Sequence, residues 1–386
     1  MQDVEPDSRP IVIDVGSYQS KAGFAGEDDP HAIFPSVVGR HRQSSRVLVG
    51  MGKREHYVGD EALSKVGFLQ LTLPIQRGFV TDWTDMENIW HHTMWNELRC
   101  PPEEQPALLA ETILSPTTQR EKTAQLFFET HAVPALCIAS HPLLSLFSSG
   151  RTTGLVVECG DGVTNIVPIH EGQVLSDVSG SSLAQRLELA GSDVTVLLAK
   201  LLQCRTSYYE LNIVRDIKEK HGYVALDFDK EAATTSPSSY ELPDGAFITL
   251  SHEKFRCAEA LFQPHLFAND TNNSTEHGIH QKVVECVVQC GEAKKDLLEK
   301  ELLANIILCG GASMMQGFAQ RLQRELKELI KTTTGEVKVI APAARKYSAW
   351  LGGSMLASLS TFGERCFTRE EYEEHGASYI HSKGSF

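Results

Sequence analysis

The amino-acid sequence predicts an α/β fold made of two related lobes around a cleft. The main observation is that a strand, an acidic glycine-rich turn and a second strand occur twice, roughly 145 residues apart, as expected of an internal duplication. The second observation is the length of 386 residues, which corresponds to two or three compact units at about 150 residues each. The repeat and the length together favour a duplicated, two-lobed chain.

The first repeat begins with an apolar run at 10–14, and a second strand is predicted at 21–26. The short glycine-containing segment between them predicts a hairpin turn. Residues 36–73 are rich in Gly, Ser, Arg and Lys with weak periodicity, so they predict a small, mobile excursion from the core.

Helical and strand patterns alternate after this excursion. Apolar residues recur at helical spacing over 85–98, and 106–110 predicts another strand. A helix is expected over 118–131, with Thr118 as its cap and Glu121 three residues later.

The second repeat has the same order of elements. Strands are predicted at 153–158 and 164–169, joined by the turn Cys159-Gly-Asp-Gly162. A third glycine signal, Asn305-Ile-Ile-Leu-Cys-Gly-Gly311, precedes a helical stretch at 316–330.

Composition excludes several classes of protein. Hydrophobic residues make up 41% and charged residues 22%, which is ordinary globular usage and argues against global disorder, a collagenous chain or a disulfide scaffold. The formal net charge is 36 − 50 = −14, and such acidity argues against a general nucleic-acid partner.

Targeting and cysteine patterns predict a reduced, cytoplasmic protein. No stretch approaches the ~20 apolar residues of a membrane span, and the acidic N-terminus has no signal-peptide pattern. The nine cysteines form no C-x-x-C pair, and Cys286 and Cys290 lie in a helical pattern as expected of buried thiols.

The two hairpins indicate phosphate chemistry. Tight glycine turns offer backbone N–H groups to phosphate oxygens, and Lys21 can add a point charge. The hairpins also carry Asp14, Glu158 and Asp161, which would repel a polyphosphate unless a hard divalent cation such as Mg²⁺ or Ca²⁺ lies between them. One such turn alone is better explained as an ordinary hairpin, whereas two of them with a Cys-Gly-Gly turn are more specific.

Several segments match actins almost residue for residue, so the sequence resembles the actin family. The match runs from about residue 9 to 386. The segments that carry it include Gly150-Arg-Thr-Thr-Gly154, Gly160-Asp-Gly-Val-Thr164, Ile213-Val-Arg-Asp-Ile-Lys-Glu-Lys220, Tyr240-Glu-Leu-Pro-Asp-Gly245 and Glu259-Ala-Leu-Phe-Gln-Pro264.

The resemblance implies an actin-like ATPase fold, with two lobes of duplicated α/β domains and a nucleotide cleft between them. It divides the chain into four parts. These are an outer-domain core of 1–35, 74–148 and 348–386, a small mobile subdomain of 36–73 with a partner-inserting loop, an inner-domain core of 149–187 and 282–347, and a second small subdomain of 188–281.

The resemblance also implies ATP or ADP with Mg²⁺ or Ca²⁺ as cofactors. Asp14 and Glu158 are expected to hold the cation through water. The residues expected to contact the nucleotide are Gly16, Ser17, Tyr18, Lys21, Gly160, Asp161, Gly162, Val163, Lys218, Glu219, Gly310, Gly311, Met314 and Lys346.

This chain departs from the family pattern at the residues that position and deprotonate the attacking water. Actins have Gln where this chain has His141, and His where it has Asn165. A positioned base or orienting group contributes roughly 10²–10⁴-fold, so we expect a weak ATPase at most. The alternative is that His141 replaces the missing base. Tyr18 stands where actins have Gly, and its ring must point away from a phosphate or weaken its binding.

The resemblance implies partners as well. These are other actin-fold protomers, actin-binding proteins that insert a helix into a groove near Phe147, Leu356 and Leu359, and dynein or other motor-complex subunits. A polar stretch at 267–278 replaces the apolar plug between filament strands, which points to altered self-assembly.

We therefore expect an ATP-binding divergent actin of the cytoplasm and cytoskeleton. It would act as a filament protomer or as a fixed subunit of a larger motility assembly of the cilium or flagellum type. The alternative is a small-molecule phosphotransferase of the same superfold.

Overall fold

The computed structural model describes residues 9–41, 55–177, 179–204, 206–267, 277–294, 296–330 and 336–383. The chain forms two compact units. The first unit comprises Met1–Arg151 and Tyr347–Phe386, and the second comprises Thr152–Lys346. The finer division into four parts remains a prediction.

The elements alternate between strands and helices along the chain. Those of the first unit up to residue 151 are β1 (Ile11–Val15), β2 (Gln19–Phe24), β3 (Ala32–Pro35), β4 (Val38–His41), β5 (Tyr57–Val58), α1 (Gly59–Ser64), β6 (Leu69–Thr72), β7 (Ile75–Gln76), β8 (Phe79–Val80), α2 (Trp83–His91), a π-helical segment (His92–Leu98), a 3₁₀ turn (Pro102–Glu104), β9 (Ala107–Glu111), α3 (Thr117–Glu129), β10 (Ala135–Ser140) and α4 (His141–Ser148).

The second unit follows. Its elements are β11 (Gly154–Cys159), β12 (Thr164–His170), β13 (Gln173–Val174), β14 (Gln185–Leu187), α5 (Gly191–Leu201), α6 (Tyr208–His221), α7 (Phe228–Thr234), β15 (Ser238–Glu241), β16 (Phe247–Leu250), α8 (Glu253–Glu259), a 3₁₀ turn (Pro264–Phe267), α9 (Ile279–Lys294), α10 (Asp296–Ala304), β17 (Ile306–Cys309), a 3₁₀ turn (Gly311–Met314), α11 (Phe318–Leu329) and β18 (Val339–Ile340).

The chain then returns to the first unit. The last elements are α12 (Ser348–Ala357), α13 (Phe362–Arg365), β19 (Phe367–Thr368), α14 (Arg369–His375) and a 3₁₀ segment (Ala377–Lys383). None of the helices among the described residues is long and apolar enough to cross a membrane.

The two units contain sheets of matching topology, as the sequence repeat predicts. The sheet of the first unit has the order β19-β10-β9-β1-β2-β3, and that of the second has β13-β12-β11-β17-β18 with β14 paired to β12. In each, an antiparallel hairpin (β1–β2 or β11–β12) is extended beside its first strand by a parallel strand (β9 or β17). These central strands are almost continuously buried because helices cover both faces of such sheets.

Helix boundaries follow the predicted patterns, with two differences. The amphipathic stretch at 85–98 is an α-helix, α2, that continues as a π-helical segment, and the Asp82 carboxylate caps α2 by accepting the Asp85 N–H. The expected Thr118 cap of α3 is wrong. Pro116 occupies the N-cap position in an extended conformation, so Thr118 lies inside the helix and no side chain caps it.

The predicted excursion at 36–73 is partly structured. Its described residues form a three-stranded sheet of order β5-β4-β6 with α1 beside it. Residues 42–54, which carry most of the expected partner-inserting loop, lie outside the described residues, as do 268–276 of the polar plug.

Close helix packing anchors the sheet of the first unit. The glycines of α12 allow it to contact α4, since an added Cβ on Gly352 would lie 1.8 Å from the Leu144 carbonyl oxygen. The fully buried Trp350 of the same helix donates its indole N–H to the Val12 carbonyl oxygen of β1 at 3.1 Å. Helix α12 therefore joins α4 to the strand that begins the first hairpin.

We expect Gly352→Ala to destabilise the protein by about 1–3 kcal/mol, because the new methyl group forces α12 away from α4. Denaturant unfolding at neutral pH measures the change. Gly363→Ala is the matched control, since no atom lies within 4 Å of its added Cβ. Equal stability of the two variants would contradict this account of the packing.

Candidate functional site

The turn of the first hairpin is tight and bordered by a cation. The Gly16 N–H donates to the Gln19 carbonyl oxygen at 3.0 Å, which closes the turn between β1 and β2. A Cβ on Gly16 would lie 3.5 Å from Lys21 Nζ, so the Lys21 ammonium group lies beside the side of Gly16 that carries no side chain. Ser17 and Tyr18, at the tip, are half-buried.

Asp14 is the charged centre of this hairpin. Its carboxylate is 4% exposed and receives Lys21 Nζ at 3.0 Å on Oδ2 and His141 Nε2 at 3.1 Å on Oδ1. Burial alone would raise the pKa of Asp14, but the Lys21 charge and the His141 contact outweigh it and hold this pKa well below its usual range. Asp14 is therefore a buried, ionised carboxylate with two donors.

The contact with Asp14 constrains the protonation of His141. This residue is the first of α4 and follows directly on β10, which places its ring beside the first hairpin. Since the Asp14 carboxylate is ionised and only accepts, His141 Nε2 carries a proton. Nδ1 is then the ring nitrogen that can act as a base.

The second hairpin repeats this geometry with different chemistry. The Gly160 N–H donates to the Val163 carbonyl oxygen at 3.0 Å, as Gly16 does to Gln19. Glu158 and Asn165 are directly opposed on β11 and β12, and Asn165 Nδ2 donates to Glu158 Oε2 at 3.1 Å. Asn165 is fully buried, and its Oδ1 has no hydrogen-bond partner among the described residues.

The registers of the two hairpins are equivalent. Asp14 is opposed to Lys21 in the first as Glu158 is to Asn165 in the second. Each hairpin thus places a carboxylate on its first strand and a donor on its second. The first pair is an ion pair, whereas the donor of the second pair is a neutral amide.

Side chains from α6 contact the second hairpin and helix α5. Arg215 Nη1 pairs with Asp161 Oδ1 at 2.5 Å. Lys218 is 5% exposed and donates to the Gly191 carbonyl oxygen at 2.8 Å and to Thr195 Oγ1 at 2.9 Å. Burial, with the nearby Arg215 charge, lowers the pKa of Lys218. Both side chains therefore hold α6 to the segment around the second turn.

The third glycine turn packs against the second hairpin. Gly310 has φ +89°, and an added Cβ would lie 2.3 Å from the Cys159 carbonyl oxygen, so only glycine fits there. The space beside Gly311 is open, with no atom within 4 Å of its added Cβ. Arg345 supports this turn from the opposite segment by donating to the Ser313 carbonyl oxygen at 3.1 Å.

The structure brings the predicted residues together in two groups. Gly16, Ser17, Tyr18, Lys21, Asp14 and His141 belong to the first unit, whereas Glu158, Gly160, Asp161, Gly162, Val163, Asn165, Lys218, Gly310 and Gly311 lie around the second hairpin. Glu219 is exposed on α6, Met314 is 41% exposed beside the third turn, and Lys346 is half-buried.

Two positioning residues were missed from the sequence. Arg215 lies within the actin-like segment 213–220, but its pairing with Asp161 spans 54 positions of sequence and leaves no local pattern. The available sequence signal for Arg345 was that it directly precedes Lys346, a predicted site residue, whereas its contact with the Gly310 turn is seen only in the structure.

The donor set fits an anion held through a hard cation. Carboxylate and amide oxygens suit Mg²⁺ or Ca²⁺, and the buried, unpartnered Asn165 Oδ1 provides an acceptor for a cation-bound water. The described residues contain no group of three or more His, Cys, Asp or Glu that could ligate a metal directly. Lys21 and the glycine turns supply the groups that phosphate oxygens need.

The residues of the predicted helix groove differ in exposure. Leu359 is 52% exposed and Phe147 is half-buried, whereas Leu356 is 4% exposed and packs in the core with Trp350 and Phe362. Leu356 is therefore a core residue and not part of the exposed surface.

One family model matches the chain over nearly its full length. Its description is Actin, and it covers residues 5–208 and 204–385. The match includes both hairpins and the third glycine turn.

We expect Lys21→Met to destabilise the protein at pH 7 by about 1.5–3 kcal/mol, the range for hydrogen bonds to charged groups. The folded state lowers the pKa of Asp14, so the stabilisation is present above the ordinary aspartate value of 3.8 and is lost as the pH falls below it. We measure the free energy of unfolding of parent and variant in urea at pH 7, 5 and 3.5. The difference between the two should be smallest at pH 3.5.

Lys230→Met is the matched control, since this side chain is 85% exposed and pairs with Asp227 on the surface. It should leave stability unchanged at each pH. A gap for Lys21→Met that stays constant with pH would contradict the assigned ion pair.

Proposed function

The chain belongs to the actin family, and on that premise we propose that it is an ATP-binding divergent actin that hydrolyses ATP slowly or not at all. It is a cytoskeletal protein with the two-lobed α/β fold of that family. The finer proposals concern its nucleotide, its catalytic rate and its assembly.

The observation that carries the slow hydrolysis is the state of Asn165. Its amide is buried, opposed to Glu158 and donates to that carboxylate. The actin resemblance puts the water-activating His at this position. A side-chain amide has no basic nitrogen at neutral pH, so it can orient a water but cannot take its proton.

The alternative base is less well placed. His141 Nε2 is engaged by the Asp14 carboxylate, which leaves Nδ1 as the nitrogen that would have to accept the proton. The ring is also 14% exposed and held at the start of α4 by its backbone. We therefore assign His141 to the support of Asp14 and expect little general-base catalysis from it.

The proposed cofactors are ATP or ADP with Mg²⁺ or Ca²⁺. Asp14 and Glu158 would hold the cation through water, and Lys21 with the backbone of the three glycine turns would hold the phosphates. The adenosine would be surrounded by Lys218, Glu219, Met314 and Lys346. In this structure the Lys218 ammonium group donates to Gly191 and Thr195. The cation would supply neutralisation of phosphate charge.

The proposed assembly is either an atypical filament or a single fixed position in a larger complex. Supporting this is a self-contained surface loop after β13, in which Asp177 Oδ1 accepts the N–H groups of Ser179 and Ser181. These two backbone N–H groups are therefore hydrogen-bonded within the loop, by the side chain of Asp177. We propose partners among actin-fold protomers, groove-binding helices and motor-complex subunits such as dynein, in the cytoplasm and in cilium-type motility assemblies.

The test combines sedimentation with phosphate release in one tube, using Mg-ATP and polymerising salt. We expect release by the parent chain to be very slow, whether or not a pellet forms. Restoring the family residues in Asn165→His/His141→Gln should accelerate release by roughly 10²-fold or more, because a base and an orienting group are returned.

Asn165→Gln is the matched control, because it keeps an amide and should stay slow. Brisk phosphate release by the parent would contradict the proposed role of Asn165. ATP consumption that depends on an added small-molecule acceptor would instead support the phosphotransferase alternative.

A further inference from the structure

Two cysteines face each other across the edge of the first unit's sheet. Strands β10 and β19 pair antiparallel, with Ala135 opposite Thr368 and Leu136 opposite Phe367. Continuing that register by one residue places Cys137 opposite Cys366. Side chains directly opposite on paired strands share one face of the sheet.

The hydrogen-bond pattern makes this a closely spaced pair. The Arg369 N–H donates to the Pro134 carbonyl oxygen at 3.0 Å, so that pair, and alternate pairs after it, are the hydrogen-bonded ones. Cys137 and Cys366 then occupy a non-hydrogen-bonded position, where Cα atoms are about 4.5 Å apart. The Cys366 N–H agrees with this, since it turns away to the Gly363 carbonyl oxygen at 3.2 Å. Such a spacing lies within the range that a disulfide spans.

Both thiols lie in the same environment. Cys137 is 3% and Cys366 1% exposed, and both belong to the apolar cluster that contains Trp350 and Phe362. The Cys366 thiol donates to the Phe362 carbonyl oxygen at 3.4 Å, and both cysteines are reduced in this structure. Both thiols therefore lie in the same apolar part of the first unit.

A small cavity with cationic residues in its lining lies beside one of them. Cys137 lines a cavity together with Arg120, Arg365 and Lys383. Arg120 is ion-paired to Glu111 and Lys383 to Glu371, which fixes both cations at the cavity wall. The thiol hydrogen bond from Cys366, and then the Arg365 and Arg120 charges, lower the pKa of Cys137 despite its burial. Positive surroundings are what activate a cysteine thiolate.

We propose that Cys137 and Cys366 form a peroxide-sensitive dithiol that closes into a disulfide between β10 and β19. Cys137 is the attacking thiolate and Cys366 the resolving thiol. The oxidant is hydrogen peroxide. This site is independent of the proposed nucleotide chemistry.

The reaction balances in two steps. The Cys137 thiolate attacks one peroxide oxygen, the O–O bond breaks, and Cys137 becomes a sulfenic acid as hydroxide leaves and takes up a proton. The Cys366 sulfur then attacks the sulfenic sulfur, the S–O bond breaks, and the departing hydroxide takes the Cys366 proton as water. Two thiols are oxidised by two electrons in total, and one peroxide is reduced to two waters.

The chain provides an internal comparison in Cys286 and Cys290. These thiols are also fully buried and hydrogen-bonded to each other, but they lie four residues apart on α9. Cβ atoms at that helical spacing are about 5–6 Å apart, whereas a disulfide needs about 3.5–4.5 Å. The hydrogen bond with Cys290, and then burial, raise the pKa of Cys286, which disfavours its thiolate. This pair should remain reduced.

The experiment treats the purified, full-length chain with a small excess of hydrogen peroxide, blocks the remaining thiols with N-ethylmaleimide and maps tryptic peptides by mass. Oxidation should join the peptide Cys366-Phe-Thr-Arg369 to the peptide at 123–151 that contains Cys137. We expect this linked species to form at least tenfold faster than any disulfide between Cys286 and Cys290. Dithiothreitol should reverse it.

Cys366→Ser tests the order of the steps. In that variant a sulfenic acid should accumulate on Cys137 and be trapped by dimedone, whereas Cys137→Ser should leave Cys366 unoxidised. The parent chain alone suffices to overturn the proposal if either variant fails to fold. Recovery of Cys137 and Cys366 in the reduced form, under peroxide that oxidises them in the urea-unfolded chain, would refute it, as would linkage of either cysteine to a different partner.

Discussion

The pairing of a carboxylate with a donor across two antiparallel strands is the constraint around which both units are organised. Asp14 and Lys21 form it in one hairpin, Glu158 and Asn165 in the other. Each carboxylate lies one residue before the end of a strand in the middle of a sheet, where charge is costly unless it is paired. The donor on the neighbouring strand offsets the cost of burying the carboxylate. Because this contact joins the two strands, it also constrains the turn between them.

The two sheets, their hairpins and the three glycine turns could be predicted from the sequence, because apolar runs and glycines are local signals. The start of α3 at Pro116 could not, since the Thr-x-x-Glu pattern at 118–121 looks like a cap wherever it occurs. The contacts of Arg215 and His141 could not be predicted from the sequence either. Each depends on a contact across many residues, 54 for Arg215 with Asp161 and 127 for His141 with Asp14.

Strand β10 connects two parts of the first unit that have different chemistry. Its middle carries Cys137 opposite Cys366, and its end leads to His141, whose ring supports Asp14. The strand is buried from Leu136 to Ser140 and pairs with β9 over the same residues. Interiors of this density transmit displacement because they have little free space. The proposed disulfide at Cys137 would form four residues before His141 along this strand.

Asparagine at the buried position opposite Glu158 has a consequence beyond catalysis. An imidazole there would change charge between about pH 5 and 8, while an amide does not titrate in that range. Any equilibrium that the second hairpin enters, with a nucleotide, a cation or another subunit, then takes up and releases no proton at Asn165. Acidification or alkalinisation within that range leaves the charge at this position unchanged, where an imidazole would have gained or lost a proton.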